Sequence, residues 1–290
     1  MTQSATAAVP AVEFPLYQID AFTDRVFWGN PAAVCPLDAW LPEPVMQAIA
    51  WENNLPETAF LVPAEDGFEL RWFTPTQEVD LCGHATLAAA HAVLNRLRPG
   101  TREVTFHSAS GPLVVRREGS GLQMTFPALD VEPADPPEAL LRGLGGVEPA
   151  AVLRSMDWIV VLDDVEQLLA VEPDLPLLAR LDLRGVVVTA PAREADFASR
   201  FFGPKLAIPE DPITGSAHCA LVPYWAARLG KDTLRAHQFS PRLGQVRTIE
   251  VECVARGDQV LLNGSTRAYL EGTVRLSAQD LDQPTTRKPM

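Results

Sequence analysis

Apolar residues recur at every second position in three segments: Phe68, Leu70 and Trp72 in FELRWFT, Leu122, Met124 and Phe126 in LQMTF, and Ile249, Val251 and Cys253 in IEVEC. A period of two puts these side chains on one face, so the pattern predicts half-buried strands. The continuous runs WIVVL at 158–162 and GVVVT at 185–189 add strands of a more buried kind. Helical patterning is scarcer. Residues 44–53 open on Pro44 and carry Met46, Ile49 and Ala50 on one side, which predicts an amphipathic surface helix. Two other segments, ATLAAAHAVL at 85–94 and AHCALVPYWAARL at 217–229, are apolar nearly all round, as expected of helices enclosed by other structure. His91, inside the first of them, reads as a core histidine.

The residues leading into these enclosed helices resemble each other. EVDLCGHATLA from Glu78 and EDPITGSAHCA from Glu210 align without gaps, sharing Glu, Gly, Ala and a final Ala, with Leu81 opposite Ile213. The offset of 132 residues is close to half of the 290-residue chain. A proline-rich stretch without periodicity, Phe126 to Pro137, lies near the middle and reads as a linker. The expected organisation is therefore two similar domains, 1–126 and 127–275, each a sheet wrapped around one apolar helix. Residues 1–14 read as a loose tail, and the segment from about 276 to 290 as a return to the first domain.

Composition narrows the partners more than the fold. Apolar residues make up 47% and charged residues 21%, ordinary for a folded globular protein. Lys and Arg total 24 against 37 Asp and Glu, a net charge of −13, with no basic cluster, so nucleic acid and anionic membranes are poor partners. No apolar run approaches the roughly 20 residues of a membrane-spanning helix, and the N-terminus lacks the pattern of a secretory signal. Four cysteines scattered through a chain large enough to fold without bridges predict reduced thiols and a cytoplasmic location.

Gly83 and Gly215 each precede an apolar helix. A helix start leaves about four backbone N–H groups without intrahelical partners, and glycine lets a ligand approach them, so two such starts facing one cleft would bind an anion such as a carboxylate. The polar side chains nearby are the candidates for chemistry: Cys82 and His84 in LCGHAT, Asp211, Thr214, Ser216 and His218 in EDPITGSAH, and Glu57 further upstream in NLPETAF. Each also has a structural reading: Glu57 as a solvated loop acid, Asp211 as a turn residue, Ser216 as a cap, His84 as a surface residue. A Cys2His2 metal set from Cys82, His84, His218 and Cys219 is disfavoured by its spacing, since paired zinc ligands are usually separated by two or more residues.

Several segments, in order, resemble the phenazine biosynthesis PhzF-like family, whose architecture is similar to diaminopimelate epimerase. They are YQIDAFTDRVFWGNPAAVCPL, MQAIAWENNLPETAFLVP, RWFTPTQEVDLCGHATLAAAHAVL, FHSASGPLVV, MTFPA and EDPITGSAHCALVPYW, spanning roughly residues 17–225. The resemblance implies an α+β fold of two similar domains, each an antiparallel barrel-like sheet around a central helix. It implies a homodimer, and an isomerase of the dihydrohydroxyanthranilate type that moves a proton between carbons of a small carboxylate-bearing substrate without metal or other cofactor. Carried over by motif, Glu57 is the general acid/base, and His84 and Asp211 assist proton handling. Gly83, Gly215 and Ser216, with Cys82 and Thr214 beside them, line the substrate pocket. A base acting at carbon works best with a pKa near the working pH, above the roughly 4.3 of a free Glu, and burial is the usual means of raising it.

One departure separates the chemistries. Epimerases of this architecture use two cysteines on opposite faces of a carbon centre; here Cys82 is present, but its internal counterpart is Thr214, and Cys219 is expected to be a buried apolar residue. Two alternatives stand beside the isomerase: a racemase or epimerase using Cys82 with a non-thiol partner, and a binding protein that has kept the cleft without catalysis.

Overall fold

The computed structural model describes residues 12–206, 208–242 and 245–282. In chain order the elements are β1 (Val12–Ala21), β2 (Asn30–Pro36), α1 (Glu43–Asn53), β3 (Glu57–Ala64), β4 (Gly67–Phe73), β5 (Glu78–Val79), α2 (Gly83–Ala92), β6 (Glu103–Ser108), β7 (Gly111–Glu118) and β8 (Gly121–Pro127). They continue as β9 (Glu132–Pro133), α3 (Glu138–Gly143), β10 (Ala151–Arg154), β11 (Trp158–Val161), α4 (Val165–Ala170), α5 (Leu175–Leu178), β12 (Val186–Pro191), β13 (Phe197–Gly203) and β14 (Ile208–Asp211). The last are α6 (Gly215–Leu229), β15 (Thr233–Arg242), β16 (Gln245–Arg256), β17 (Gln259–Gly264), β18 (Thr266–Leu276) and α7 (Ala278–Asp282). The result is a strand-rich α+β protein. No helix among the described residues is long and apolar enough to cross a membrane.

Two compact units divide the chain, and neither is a single stretch of sequence. The first draws its described residues from Met1–Asp20, Pro31–Val114 and Arg267–Met290. In it β2 runs parallel to β3, with Ala32 opposite Glu57; β3 and β4 form an antiparallel hairpin; and β4 runs parallel to β6. The amphipathic helix α1 sets Val45, Met46 and Ile49 against Phe14, Phe60 and Phe73, and Val274, Leu276 and Leu281 from the far end of the chain close the same cluster. Residues 12–14 are thus strand, not tail, because Phe14 has a core to enter. Helix α2 is buried along nearly its whole length; its alanines at 85, 88, 89, 90 and 92 are fully enclosed.

The second unit comprises Ala21–Asn30 and Val115–Thr266. Strand β11 runs parallel to β12, β12 is antiparallel to β13, and β13 runs parallel to β15. This repeats the first unit step for step. A parallel pair with helix between its strands is followed by a hairpin, then a short strand, a buried helix and a second parallel return. Glu78 and Glu210 both fall in the short strand, and Gly83 and Gly215 both open the buried helix. The sheets are mixed: β2 with β3 and β4 with β6 in the first unit, and β11 with β12 and β13 with β15 in the second, run parallel, where the resemblance implied antiparallel sheets. The proline-rich stretch at 126–137 lies inside the second unit, between β8, which pairs with β17, and α3.

Helix α6 carries Pro223 in its interior. Proline has no N–H to give the carbonyl four residues back, so Cys219 would be left with a buried, unpaired oxygen. The backbone N–H of Leu129 fills the gap at 3.0 Å. That bond ties the loop after β8 to the helix and explains how a nearly apolar helix tolerates a proline.

Candidate active site

In the first unit Glu57, Cys82 and His84 come together. Glu57 is the first residue of β3 and is 6% exposed; its placement follows from the parallel pairing with Ala32. Cys82 is the extended residue at the N-cap of α2, and His84 sits in the first turn at 5% exposure. The Nε2 of His84 lies 3.0 Å from Oε2 of Glu57, while its Nδ1 lies 3.5 Å from the Cys82 sulfur. The Glu57 contact has the separation of an ion pair but meets obliquely, not as a straight hydrogen bond. The imidazole therefore stands between the carboxylate and the thiol.

This arrangement suits proton handling better than metal binding. The three residues offer ligand atoms within 4.8 Å of one another. However, Glu57 and Cys82 address different nitrogens of one ring, and a single ion takes only one of them. Burial pushes the Cys82 thiol up to about 11, helped by the Glu57 carboxylate and opposed by His84 and the Ala85 amide, so sulfur is protonated at neutral pH. Burial by itself would lower His84; its neighbours, the Glu57 carboxylate among them, outweigh it and hold the ring's pKa well above its ordinary value. Gly83 opens α2, whose first intrahelical bond runs from the Thr86 N–H to the Cys82 carbonyl at 3.1 Å.

In the second unit Asp211, Thr214, Gly215 and Ser216 gather at the start of α6. One carboxylate oxygen of Asp211 accepts from Thr214 Oγ1 at 2.7 Å and the other from Asn30 Nδ2 at 3.1 Å. Gln238 braces the turn: its Oε1 accepts from the Thr214 N–H at 3.0 Å, and its Nε2 donates to the Asp211 carbonyl at 2.8 Å. His218 is fully buried and donates Nδ1–H to the Thr214 carbonyl at 2.9 Å; burial lowers its pKa, so it is a neutral structural group. His91, expected in the core, is only half-buried.

Sequence reading missed the group that joins Ser216. Asp157 immediately precedes β11 and Arg184 lies two residues before β12, and they form a bidentate pair at 2.9 and 2.8 Å. Asp157 is 3% exposed, whereas a third of the Arg184 side chain reaches solvent. Nη2 of Arg184 also donates to Ser216 Oγ. A guanidinium fixed by a buried carboxylate, beside the amides of a helix start, is a strong element for holding an anion. No motif marks it. Asn30 and Gln238 were missed too, although a polar residue continuing the alternation of apolar Leu234 and Ala236 along β15 is a readable signal for Gln238. A groove of about 650 Å³ in the same unit, bordered by Arg25, Trp28, Glu118 and Glu250, contains none of the candidate residues and is set apart from this chemistry.

The strand-rich α+β fold is of a class seen in solved structures. A hydroxyproline epimerase from Agrobacterium vitis matches over 91% of this chain and 93% of its own, with a TM-score of 0.56 at 13% identity, a likeness of fold alone. A PhzF-family protein from Enterococcus faecalis matches far more closely, with a TM-score of 0.86 and 42% identity over 91% of this chain and 100% of its own. Residues 19–272 match the phenazine biosynthesis-like protein family, and the chain belongs to it. Among curated relatives, an uncharacterized isomerase of Pseudomonas aeruginosa is 50% identical over 265 residues, covering 91% of this chain and all of that protein.

Proposed function

We propose that this protein is an isomerase that moves a proton between carbons of a small carboxylate-bearing substrate, with Glu57 as the general acid/base. The observation that carries the reading is the buried contact between Glu57 and His84 at the start of α2. A carboxylate removed from water can take a carbon-bound proton, and the same oxygen can return it to a second carbon, so no second base is required. General acid/base steps of this kind contribute roughly 100-fold to 10,000-fold. The Nε2 side of His84, 3.0 Å away, steadies the carboxylate as its charge changes. Asp211, Thr214, Gly215 and Ser216, with Arg184 added, are assigned to substrate handling. Relatives named as isomerases at 50% and 46% identity support the reaction class.

The neutral thiol at Cys82 disfavours the racemase alternative, because a sulfur held to about 11 is a poor base at neutral pH. A thermal-shift screen of small carboxylates identifies the ligand. A ligand at about 100 times its dissociation constant stabilises by roughly 2.7 kcal/mol, a readable shift. Incubated with enzyme in heavy water, that ligand should give a product isomeric with it and carrying solvent deuterium at carbon. A ligand that binds and is never converted would instead establish the non-catalytic alternative, and inversion of a stereocentre blocked by Cys82 alkylation the racemase.

A further inference from the structure

Cys82 belongs to the buried group but has no step in the proton transfer proposed above. The hydrogens on the ring between it and Glu57 give it one. An ionised carboxylate only accepts, so the 3.0 Å approach of Glu57 Oε2 to His84 Nε2 is favourable only when Nε2 carries hydrogen. In a neutral ring Nδ1 is then bare; in a protonated ring it bears hydrogen as well. A buried nitrogen needs a partner in both conditions, and the atom facing Nδ1, at 3.5 Å, is the Cys82 sulfur.

A thiol is a weak donor and a weak acceptor at once. We propose that Cys82 is a positioning residue: its S–H keeps the hydrogen of neutral His84 on Nε2, facing Glu57, and its sulfur accepts from Nδ1–H when the ring is protonated. The start of α2 favours the first of these roles, because the Ala85 amide bears on the sulfur and leaves the S–H for the ring. The opposite tautomer would set a bare Nε2 against the carboxylate, lone pair to lone pair, and drive Glu57 from its place. Alanine at this position could serve neither state; serine, with a hydroxyl that donates and accepts, could serve both. The inference rests on the reading of Glu57 as the acid/base only for its consequence, since the tautomer is a property of the resting protein.

The test is long-range proton–nitrogen NMR on protein labelled at histidine, without substrate, with the His84 signals identified by their loss in His84→Gln. Through the deprotonated limb of its titration, wild-type His84 should carry hydrogen on Nε2 alone. Cys82→Ser should reproduce that spectrum and Cys82→Ala should show both tautomers. Hydrogen on Nδ1 in neutral wild-type His84 would overturn the proposal, as would a Cys82→Ala spectrum identical to wild type. If Cys82→Ala does not fold, the wild-type and serine spectra still decide the matter. Loss of the isomerase reading, tested by heavy-water exchange, would leave this result intact.

Discussion

Glu57, His84 and Cys82 show how a short motif acquires chemistry from burial. In water each would be an ordinary side chain; at 6%, 5% and 7% exposure they are forced to satisfy one another. Asp157, Arg184 and Ser216 follow the same logic in the second unit, and they carry a prediction. Replacing Arg184 by Gln removes a charge-assisted contact worth about 1.5–3 kcal/mol, so the affinity for a carboxylate ligand should fall roughly 10- to 100-fold. Arg184→Lys should not restore it, because a point charge cannot hold Asp157 through two parallel bonds and reach Ser216 as well. Calorimetric titration of the carboxylate found by screening measures both, and an unchanged dissociation constant would remove Arg184 from the site. At this scale the motif residues were readable in the sequence. Arg184 was not: it lies 27 residues from Asp157, and only the register of two parallel strands unites them.

The strands and helices hold these side chains by close approach. Gly185, just before β12, is an example: a Cβ there would lie 2.6 Å from the Phe201 ring and 3.1 Å from Asp157 Oδ1. Gly185→Ala should therefore cost about 1–3 kcal/mol, read as a lower urea midpoint, and should loosen the Asp157–Arg184 pair. A midpoint equal to wild type would mean that Phe201 yields freely. The enclosed helices were plain in the sequence, because a segment without a polar face must be covered on all sides. The direction of strand pairing was not, since alternation reports which face is buried and says nothing of whether the neighbouring strand runs parallel. Strand direction was therefore expected only from the family resemblance, which implied antiparallel sheets where the structure has mixed ones.

Across the whole chain, two copies of one topology each deliver a glycine-started buried helix, and the sequence preserves the correspondence only where function and backbone geometry meet, around Gly83 and Gly215. Burial at this scale also sets a pH limit. All four cysteines are buried; Cys82 and Cys219 are pushed up to about 11 and about 12 from an ordinary 9.0, and Cys35 and Cys253 are raised as well. A group whose folded pKa is raised contributes stability that is full below its unfolded pKa and is lost as pH climbs through the folded value. His84 acts in the same direction. Stability should thus begin to decline above about pH 6.5 through His84 and fall more steeply above about pH 9 through the thiols, with urea midpoints following; a flat profile would mean that these groups reach water in the folded protein.

The central claim is that Glu57 carries a proton from carbon to carbon. It is tested most directly by incubating the substrate in heavy water with wild type and with Glu57→Gln, and following deuterium at carbon by mass spectrometry. Glu57→Gln, isosteric but unable to take a proton, should bind the substrate and incorporate no deuterium, while Cys82→Ala slows incorporation without abolishing it. Incorporation by Glu57→Gln at the wild-type rate would contradict the account.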